Sequence, residues 1–210
     1  MIDCIGLDAD DTLWHSEVHF ADAHEVFARV VEPYVGTDLD VVARQYDTER
    51  ENLRLFGYGA KGFTLSMVET AIEITDGRIT AAEIGQLVDL GKSLLAQPVE
   101  LLDGVRDTID QLAADRRLVL VTKGDLFHQE QKVAGSGLAD LFERVEIVSE
   151  KDEATYRRIL HAMGVDPERF LMVGNTVRSD VLPVLAIGGR AVQVPYEVTW
   201  TQEAAEHAGD

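Results

Sequence analysis

Short apolar segments recur in the first fourteen residues and in the second half of the chain. Their length and continuous apolar character are typical of strands that are covered on both faces of a parallel sheet. We predict five strands, at residues 2–7, 118–122, 145–149, 170–174 and 190–194. Helical periodicity lies between the later strands, at residues 104–115, 153–163 and 180–187. Strands that alternate with helices predict a doubly wound parallel sheet, which is an α/β fold.

The interval from about residue 15 to residue 98 has a different pattern. It contains no convincing strand, and its apolar positions recur at helical spacing. We place its helices at about 16–32, 39–55, 63–75 and 80–95. Connections between strands and helices in α/β sheets are short, so a segment of this length is not a simple crossover. We therefore predict an all-helical domain, residues 15–98, inserted into a core formed by residues 1–14 and 99–210.

Composition and charge limit the partners. A net charge of −19 repels phosphate backbones, so we expect no nucleic-acid polymer as a partner. No apolar stretch approaches the roughly 18 residues that span a bilayer, and the N-terminus lacks a signal-peptide pattern. The single cysteine, Cys4, rules out a disulfide framework and is expected to be buried in the first strand. We expect a cytoplasmic protein without a membrane partner, either a monomer or a homodimer.

Acidic residues follow the first predicted strand in the segment LDADDTL, residues 7–13. Ligand sites of parallel α/β sheets lie at the carboxyl ends of strands, where Asp8 and Asp10 could face one cavity. Two carboxylates at about 4 Å repel by roughly 4 kcal/mol at an effective dielectric constant of 20. Magnesium prefers hard oxygen ligands and often bridges carboxylates to a substrate phosphate. We therefore expect magnesium and a phosphate here, although a polar turn with Thr12 as a helix cap is an alternative.

This acidic segment resembles the first motif of the haloacid dehalogenase-like hydrolase superfamily, most of whose members are phosphatases. Three later segments match further motifs in order, each after an apolar strand. They are VLVTKGD with Thr122, VSEKDEATY with Lys151, and VGNTVRSD with Asn175 and Asp180. The resemblance covers residues 1–14 and about 99–195, and it implies a Rossmann-like core with a helical cap inserted after the first motif.

The resemblance also implies a role for each motif residue. Asp8 would be the nucleophile, and Asp10 would be the general acid and base. Thr122, with the backbone near Lys123 and Gly124, would hold phosphate oxygens, and Lys151 would place a positive charge against the nucleophile and the phosphate. The implied magnesium ligands are Asp8, Asp10, Asn175 and Asp180. The alternatives are an ordinary strand residue for Thr122, a surface lysine for Lys151 and a helix N-cap for Asp180.

Two residues depart from the usual motifs. Asn175 stands where the superfamily usually has aspartate, so we expect weaker magnesium binding from an amide oxygen that brings no charge. Lys123 follows the threonine where relatives often have asparagine. It either adds a charge near the phosphate or points away as a surface lysine.

Two other patterns are weaker. GYGAKG at residues 57–62 has the Gly-x-Gly-x-x-Gly spacing, but a charged helical segment precedes it, so a loop between two cap helices is favoured over a nucleotide fingerprint. His15 and His19 are one helical turn apart, but no third ligand supports a zinc site. Because His15 follows the acidic motif directly, it is a candidate for substrate contact.

The leading hypothesis is a magnesium-dependent phosphomonoester hydrolase that acts on a small phosphorylated metabolite. The DADDTL segment is similar to that of some nucleotidases of the superfamily, which suggests a nucleoside monophosphate, with a small sugar or acid phosphate as an alternative. A 2-haloacid dehalogenase is a rival, but relatives of that type lack the second aspartate of the motif. An inactive scaffold is a further possibility. A receiver domain is disfavoured because the predicted middle strands do not end in an aspartate. The sequence does not name the substrate.

Overall fold

The computed structural model describes residues 1–196 of the chain. Within them the chain divides into two compact units. One unit comprises residues 1–17 and the described residues from Pro98 onward, and the other comprises Val18–Gln97. The first junction follows Glu17 instead of residue 14, and the second precedes Pro98 instead of residue 99. Residues 197–210, which the prediction assigned to the core, lie outside the described residues.

The first unit is built on a sheet of five parallel strands. They are β1 (Cys4–Leu7), β2 (Arg117–Lys123), β3 (Arg144–Val148), β4 (Phe170–Gly174) and β5 (Arg190–Gln193). Their order across the sheet is β3-β2-β1-β4-β5. The predicted α/β fold with a parallel sheet is therefore confirmed. Because β1 is central, its carboxyl end lies between the carboxyl ends of β2 and β4.

The regular elements of the second unit are all helices. Its helices are α1 (Glu17–Val31, which begins at the junction), α2 (Val41–Phe56), α3 (Ala60–Ile74) and α4 (Ala81–Leu95), with a short 3₁₀ turn at Glu32–Tyr34. An apolar core that includes Phe27, Met67 and Leu87 holds them together. In the GYGAKG segment, residues 57–59 link α2 to α3, and residues 60–62 already belong to α3. A helix precedes this glycine pattern, not the strand that a dinucleotide site requires.

The helix α2 buries polar side chains and exposes apolar ones. Its buried residues are Gln45, Thr48, Glu49 and Asn52, which share one helical face. Many of the polar groups on this face have hydrogen-bond partners. The Asn52 amide donates to Ser66 Oγ at 3.2 Å and to Glu69 Oε2 at 2.5 Å. Gln45 Oε1 lies 3.0 Å from Nδ1 of the buried His24, which therefore belongs to the core of this unit.

The helices of the first unit pack against the sheet. They are α5 (Val105–Asp115), α6 (Leu126–Gly135), α7 (Glu153–Met163) and α8 (Leu182–Ala186). The sequence did not predict α6. The helix predicted over 180–187 is also partly wrong, because a π turn at Val177–Val181 precedes a short α8. Such π turns are frequent at functional sites.

Alternation along β2 divides the core of this unit into two layers. Leu118 and Leu120 belong to one apolar cluster with Ile109, and Val119 and Val121 belong to the other with Tyr156. Cys4 is fully buried in β1, as expected, and burial raises the pKa of its thiol to about 11. No helix within residues 1–196 has both the length and the apolar character needed to cross a membrane.

Candidate active site

A tight turn at the end of β1 places the acidic segment. The Asp8 amide donates to the Val173 carbonyl at 2.9 Å, which continues the pairing of β1 with β4. The amides of Thr12 and Leu13 then both donate to the Ala9 carbonyl, at 3.2 and 2.8 Å. The chain therefore reverses within a few residues, and the acidic side chains remain at the carboxyl edge of the sheet.

Asp8 and Asp180 share the ammonium group of Lys151. Lys151 Nζ donates to Asp8 Oδ1, and it donates to Asp180 Oδ1 at 2.7 Å. Thr12 Oγ1 donates to Asp8 Oδ2 at 2.8 Å. All four residues are buried. The structure therefore brings together three of the predicted motifs, from the ends of β1 and β4 and from the segment before α7.

Electrostatics in this cluster favour a cation. Burial raises the pKa of Asp8 to about 6, against the opposing effect of Lys151 and with a further contribution from Asp180. Burial disfavours the Lys151 ammonium, but the carboxylates of Asp180 and Asp8 outweigh it, and the pKa of Lys151 is raised. One ammonium group thus faces two carboxylates. Because the cluster is buried, water screens the remaining negative charge poorly.

The loop after β4 is shaped around Asp180. The Thr176 amide and Oγ1 donate to Asp180 Oδ2 at 3.1 and 3.0 Å. A Cβ atom at Gly174 would lie 2.3 Å from the carboxylate carbon of Asp180, so only glycine fits at that position. Asp180 is therefore oriented by its own loop, which is more than a helix N-cap would require.

Asp10 has a separate set of partners. Trp14 Nε1 and Lys132 Nζ each lie 2.6 Å from Asp10 Oδ1, and Gln129 Nε2 lies 3.1 Å from Oδ2. Burial alone would raise the pKa of Asp10, but Lys132, Trp14 and Gln129 outweigh it, so the pKa is lowered. The side chain keeps 28% of its surface exposed. Asp10 is therefore an ionised carboxylate near the surface.

Asp11 serves the local structure. It has a φ of 62° in the left-handed region. Its Oδ1 accepts from the backbone amides of Ser16 at 2.8 Å and Glu17 at 3.1 Å, at the start of α1. Burial raises its pKa to about 7, although those two hydrogen bonds oppose the shift.

The predicted phosphate-binding residues lie at the end of β2, beside an unpredicted partner. Gln129 Nε2 lies 2.6 Å from Thr122 Oγ1 and 2.9 Å from the Lys123 carbonyl. Gly124 has a φ of 140°, and a Cβ atom there would lie 3.0 Å from Gln129 Cγ. Gln129 and Lys132 are the functional candidates that the sequence analysis missed. The available signal was Asp125, which caps α6 directly after the strand and so marks the start of a helix.

The remaining predicted residues each have contacts of their own. The amine of Lys123 donates to Ser179 Oγ at 3.0 Å, beside Asp180, so Lys123 does not simply point into solvent. With Lys132 and Lys151, it makes three of the five lysines of the chain contact residues of this site. His15 Nδ1 lies 2.5 Å from the Tyr196 hydroxyl. Asn175 directly follows β4, and its backbone carbonyl accepts from Gln193 Nε2 at 3.2 Å.

The acidic residues of this site are suited to hold a magnesium ion. Within residues 1–196, no three histidine, cysteine or acidic side chains are arranged to hold a metal ion together. The Asp10 carboxylate is instead directed to Lys132, Trp14 and Gln129. Magnesium is commonly held by one or two carboxylates, with water and substrate phosphate completing its shell. The converging oxygens of Asp8 and Asp180 provide that donor set.

Comparisons with known proteins identify the family and the fold of the chain. A family model described as a haloacid dehalogenase-like hydrolase matches residues 2–188. A haloacid dehalogenase-like family hydrolase from Xanthomonas campestris has a crystal structure that superposes with a TM-score of 0.87 at 51% identity, covering 93% of this chain and 82% of that one. The YfnB hydrolase from Bacillus subtilis, solved bound to magnesium, shares the fold with a TM-score of 0.62 at 16% identity, covering 90% and 85% of the two chains.

Curated relatives are more distant. The N-acylneuraminate-9-phosphatases of Mus musculus and Homo sapiens are 28% and 27% identical to this chain over 129 residues. Each match includes 59% of this chain and 52% of the relative, so the aligned region spans about half the length of these relatives.

Proposed function

The chain belongs to the haloacid dehalogenase-like hydrolase family, and we propose that it hydrolyses small phosphate monoesters through an aspartyl-phosphate formed on Asp8. The observation that carries this proposal is the different environment of the two carboxylates after β1. Asp8 is buried between Lys151 and Thr12, whereas Asp10 is partly exposed among other donors. Carboxylates in different environments are suited to different roles in one reaction.

Asp8 is the nucleophile in this proposal. Thr12 and Lys151 each hold one of its oxygens, which fixes the orientation of the carboxylate for attack on phosphorus. As the bond between Asp8 and phosphorus forms, the ester P–O bond breaks. The Thr122 hydroxyl and the backbone amides after it would bind phosphate oxygens, and Lys151 would stabilise their charge.

Asp10 transfers protons in this proposal. Its lowered pKa makes it a carboxylate at neutral pH. The proton that it passes to the leaving oxygen therefore enters with the substrate, as the hydrogen of a phosphate monoanion. In the second step Asp10 accepts a proton from the water that attacks the aspartyl-phosphate. Displacement of a halide from carbon needs no such group, so Asp10 favours phosphate over haloacid chemistry.

Magnesium fits this scheme through Asp8 and Asp180, and Asn175 could add an uncharged oxygen. When bound, the ion neutralises charge on the transferring phosphoryl group. The uncompensated carboxylate charge around Lys151 supports this part of the proposal.

The substrate is proposed as a class. A nucleoside monophosphate and a small sugar or acid phosphate both remain candidates. The name of the curated relatives adds a sugar-acid phosphate, N-acylneuraminate 9-phosphate, to the esters worth testing.

The test is phosphate release from a panel of these esters, with and without magnesium. We expect release that depends on magnesium and falls by about 10³-fold or more in Asp8→Asn, because the nucleophile is lost. The exposed Asp107→Asn variant is the matched control and should keep full activity. Absence of release from every ester would contradict the proposal. Chloride release from 2-haloacids would then distinguish a dehalogenase from an inactive scaffold.

A further inference from the structure

We propose that Gln129 and Lys132, on one face of α6, are positioning residues that hold Asp10 so that its Oδ2 oxygen exchanges the proton. This inference rests on the proposed phosphatase function and adds two residues to it. Both side chains are well shielded, since Gln129 is 2% exposed and the Lys132 side chain is 13% exposed. Their spacing of three residues places them on the same side of the helix.

The Oδ1 oxygen of Asp10 is blocked. Lys132 Nζ and Trp14 Nε1 both lie 2.6 Å from it, and both groups are donors only. A carboxylate oxygen has about two lone-pair sites, so these two donors fill it. A proton could reach Oδ1 only if one of these short contacts broke.

The Oδ2 oxygen is the accessible one. Among the described residues, its hydrogen-bond partner is Gln129 Nε2 at 3.1 Å. The same nitrogen lies closer to Thr122 Oγ1, at 2.6 Å, and to the Lys123 carbonyl, at 2.9 Å. An amide nitrogen carries only two hydrogens, which these three acceptors share, so Oδ2 receives at most one hydrogen bond from Gln129, and it is the longest of the three. Oδ2 therefore keeps a lone pair for a proton.

Gln129 also links the proton-transfer residue to the phosphate-binding residue. A hydroxyl group both accepts and donates hydrogen bonds. Because Thr122 Oγ1 accepts from Gln129, its own hydrogen is left with the Lys123 carbonyl at 3.4 Å, a long contact that a phosphate oxygen could replace. One side chain thus sets the spacing between Thr122 and Asp10. The left-handed backbone at Gly124 leaves the space in which Gln129 Cγ lies.

The resulting proton path is balanced over one cycle. Oδ2 takes the hydrogen of the phosphate monoanion and passes it to the leaving oxygen as the ester P–O bond breaks. In the second step Oδ2 takes a proton from the attacking water as the new P–O bond forms and the bond to Asp8 breaks. That proton leaves on the product phosphate, and Asp10 returns to its carboxylate form.

The test compares two esters that differ in their need for a proton. The leaving group of an alkyl phosphate is a strongly basic alkoxide, whereas that of 4-nitrophenyl phosphate is a stable phenolate. We expect Lys132→Met and Gln129→Leu to lower kcat/KM for the alkyl ester by about 10- to 100-fold. For the aryl ester we expect a loss of about threefold or less in Lys132→Met, because misplacing Asp10 hardly affects a leaving group that needs no proton. Gln129→Leu also removes the contact with Thr122, so it should lose more than Lys132→Met on the aryl ester, but less than it loses itself on the alkyl ester.

Matched controls separate positioning from a general structural role. Gln131→Leu changes an exposed glutamine on the same helix, and Lys92→Met changes an exposed lysine on α4. Both should leave the two esters unaffected. Lys132→Arg restores a cation near Oδ1 and should recover most of the alkyl-ester activity. If Lys132→Met does not fold, Lys132→Gln and Gln129→Leu provide the same comparison.

Equal losses on both esters, or no loss on either, would overturn the positioning role while the proposed phosphatase function stands. A wild-type protein that hydrolyses neither ester would overturn the function first, and the positioning role with it.

Discussion

The α/β unit and the helical insert each bury a polar cluster, but the two clusters are built differently. In the first, Lys151 joins Asp8 and Asp180, which lie 143 and 29 residues away in sequence. In the second, amide and hydroxyl groups of the adjacent helices α2 and α3 pair with one another, as Asn52 does with Ser66. A buried polar group alone therefore does not mark a functional site. Charges that converge from distant strand ends do so more specifically.

The largest effect should come from removing the shared cation. Lys151→Met leaves two carboxylates buried without a countercharge, and we expect it to lower the free energy of unfolding by about 3–5 kcal/mol. Urea denaturation measures this loss. Lys92→Met removes an exposed lysine that pairs with Asp89 at 2.7 Å, and it should cost about 1 kcal/mol or less. Equal losses would contradict the view that the buried cluster depends on its one cation.

A smaller loss should follow from breaking the polar pairing of the insert. Asn52→Leu leaves the buried Ser66 hydroxyl without its donor, which should cost about 1–3 kcal/mol in the free energy of unfolding. Arg54→Leu, at an exposed position of the same helix, should change it by about 0.5 kcal/mol or less. A gain in stability from Asn52→Leu would show that apolar packing could replace this polar face.

One buried titratable residue in each unit should make the free energy of unfolding depend on pH, with opposite signs for the two residues. Burial raises the pKa of Asp11 to about 7, so the folded protein holds that proton more tightly than the unfolded chain. Its contribution to stability is present below about pH 4 and is lost as the pH rises to about 7, by up to about 1.4 kcal/mol per unit. The free energy of unfolding of the wild type, measured relative to that of Asp11→Asn, should therefore fall as the pH rises over this range. Gln131→Leu, which changes an exposed residue that does not titrate, should show a constant difference.

His24 in the insert should make stability depend on pH in the opposite direction. Burial lowers its pKa, although Gln45 opposes the shift. The unfolded chain then binds the proton more tightly, so the stability that depends on neutral His24 is lost as the pH falls below about 6.5. In His24→Gln this acid sensitivity should disappear in urea unfolding measured between pH 5 and 7.5. An unchanged sensitivity would contradict the assignment of this effect to His24.

The smallest expected effect concerns magnesium. Asn175→Asp adds a charge beside the proposed metal ligands, which should tighten magnesium by about 1 kcal/mol, or roughly fivefold. The magnesium dependence of phosphate release measures this change. Gln131→Glu adds the same charge on the exposed face of α6 and should leave it unaffected. An unchanged magnesium dependence in Asn175→Asp would remove Asn175 from the metal site.

The sequence was most informative where candidate catalytic residues follow an apolar strand. Asp8 was singled out because it follows an apolar strand at the edge of a parallel sheet where ligands bind, and Thr122 and Asp180 because their segments resemble motifs of the family. The helix α6 was missed because its buried positions include His128 and Gln129, which interrupt the apolar periodicity. The residues that orient Asp10 were missed with it.

The orientation of long side chains could not be predicted from the sequence, for a different reason. Nothing in the spacing of Asp10 shows that its carboxylate turns toward Lys132, since that depends on packing between distant segments. The face of α2 was equally unreadable, because Leu55 and Phe56 are exposed there while Asn52 is buried. Hydrophobic periodicity assigns the buried face of a helix only where apolar residues form it.

The distribution of the five lysines has a practical consequence for labelling. Lys123, Lys132 and Lys151 are partly or fully buried, whereas Lys61 and Lys92 are exposed and both belong to the helical insert. Amine-reactive dyes should therefore attach to these two lysines of the insert before they reach the other three. Because the thiol of Cys4 is buried, a maleimide dye would react with an introduced surface cysteine instead, which would provide a second labelling position.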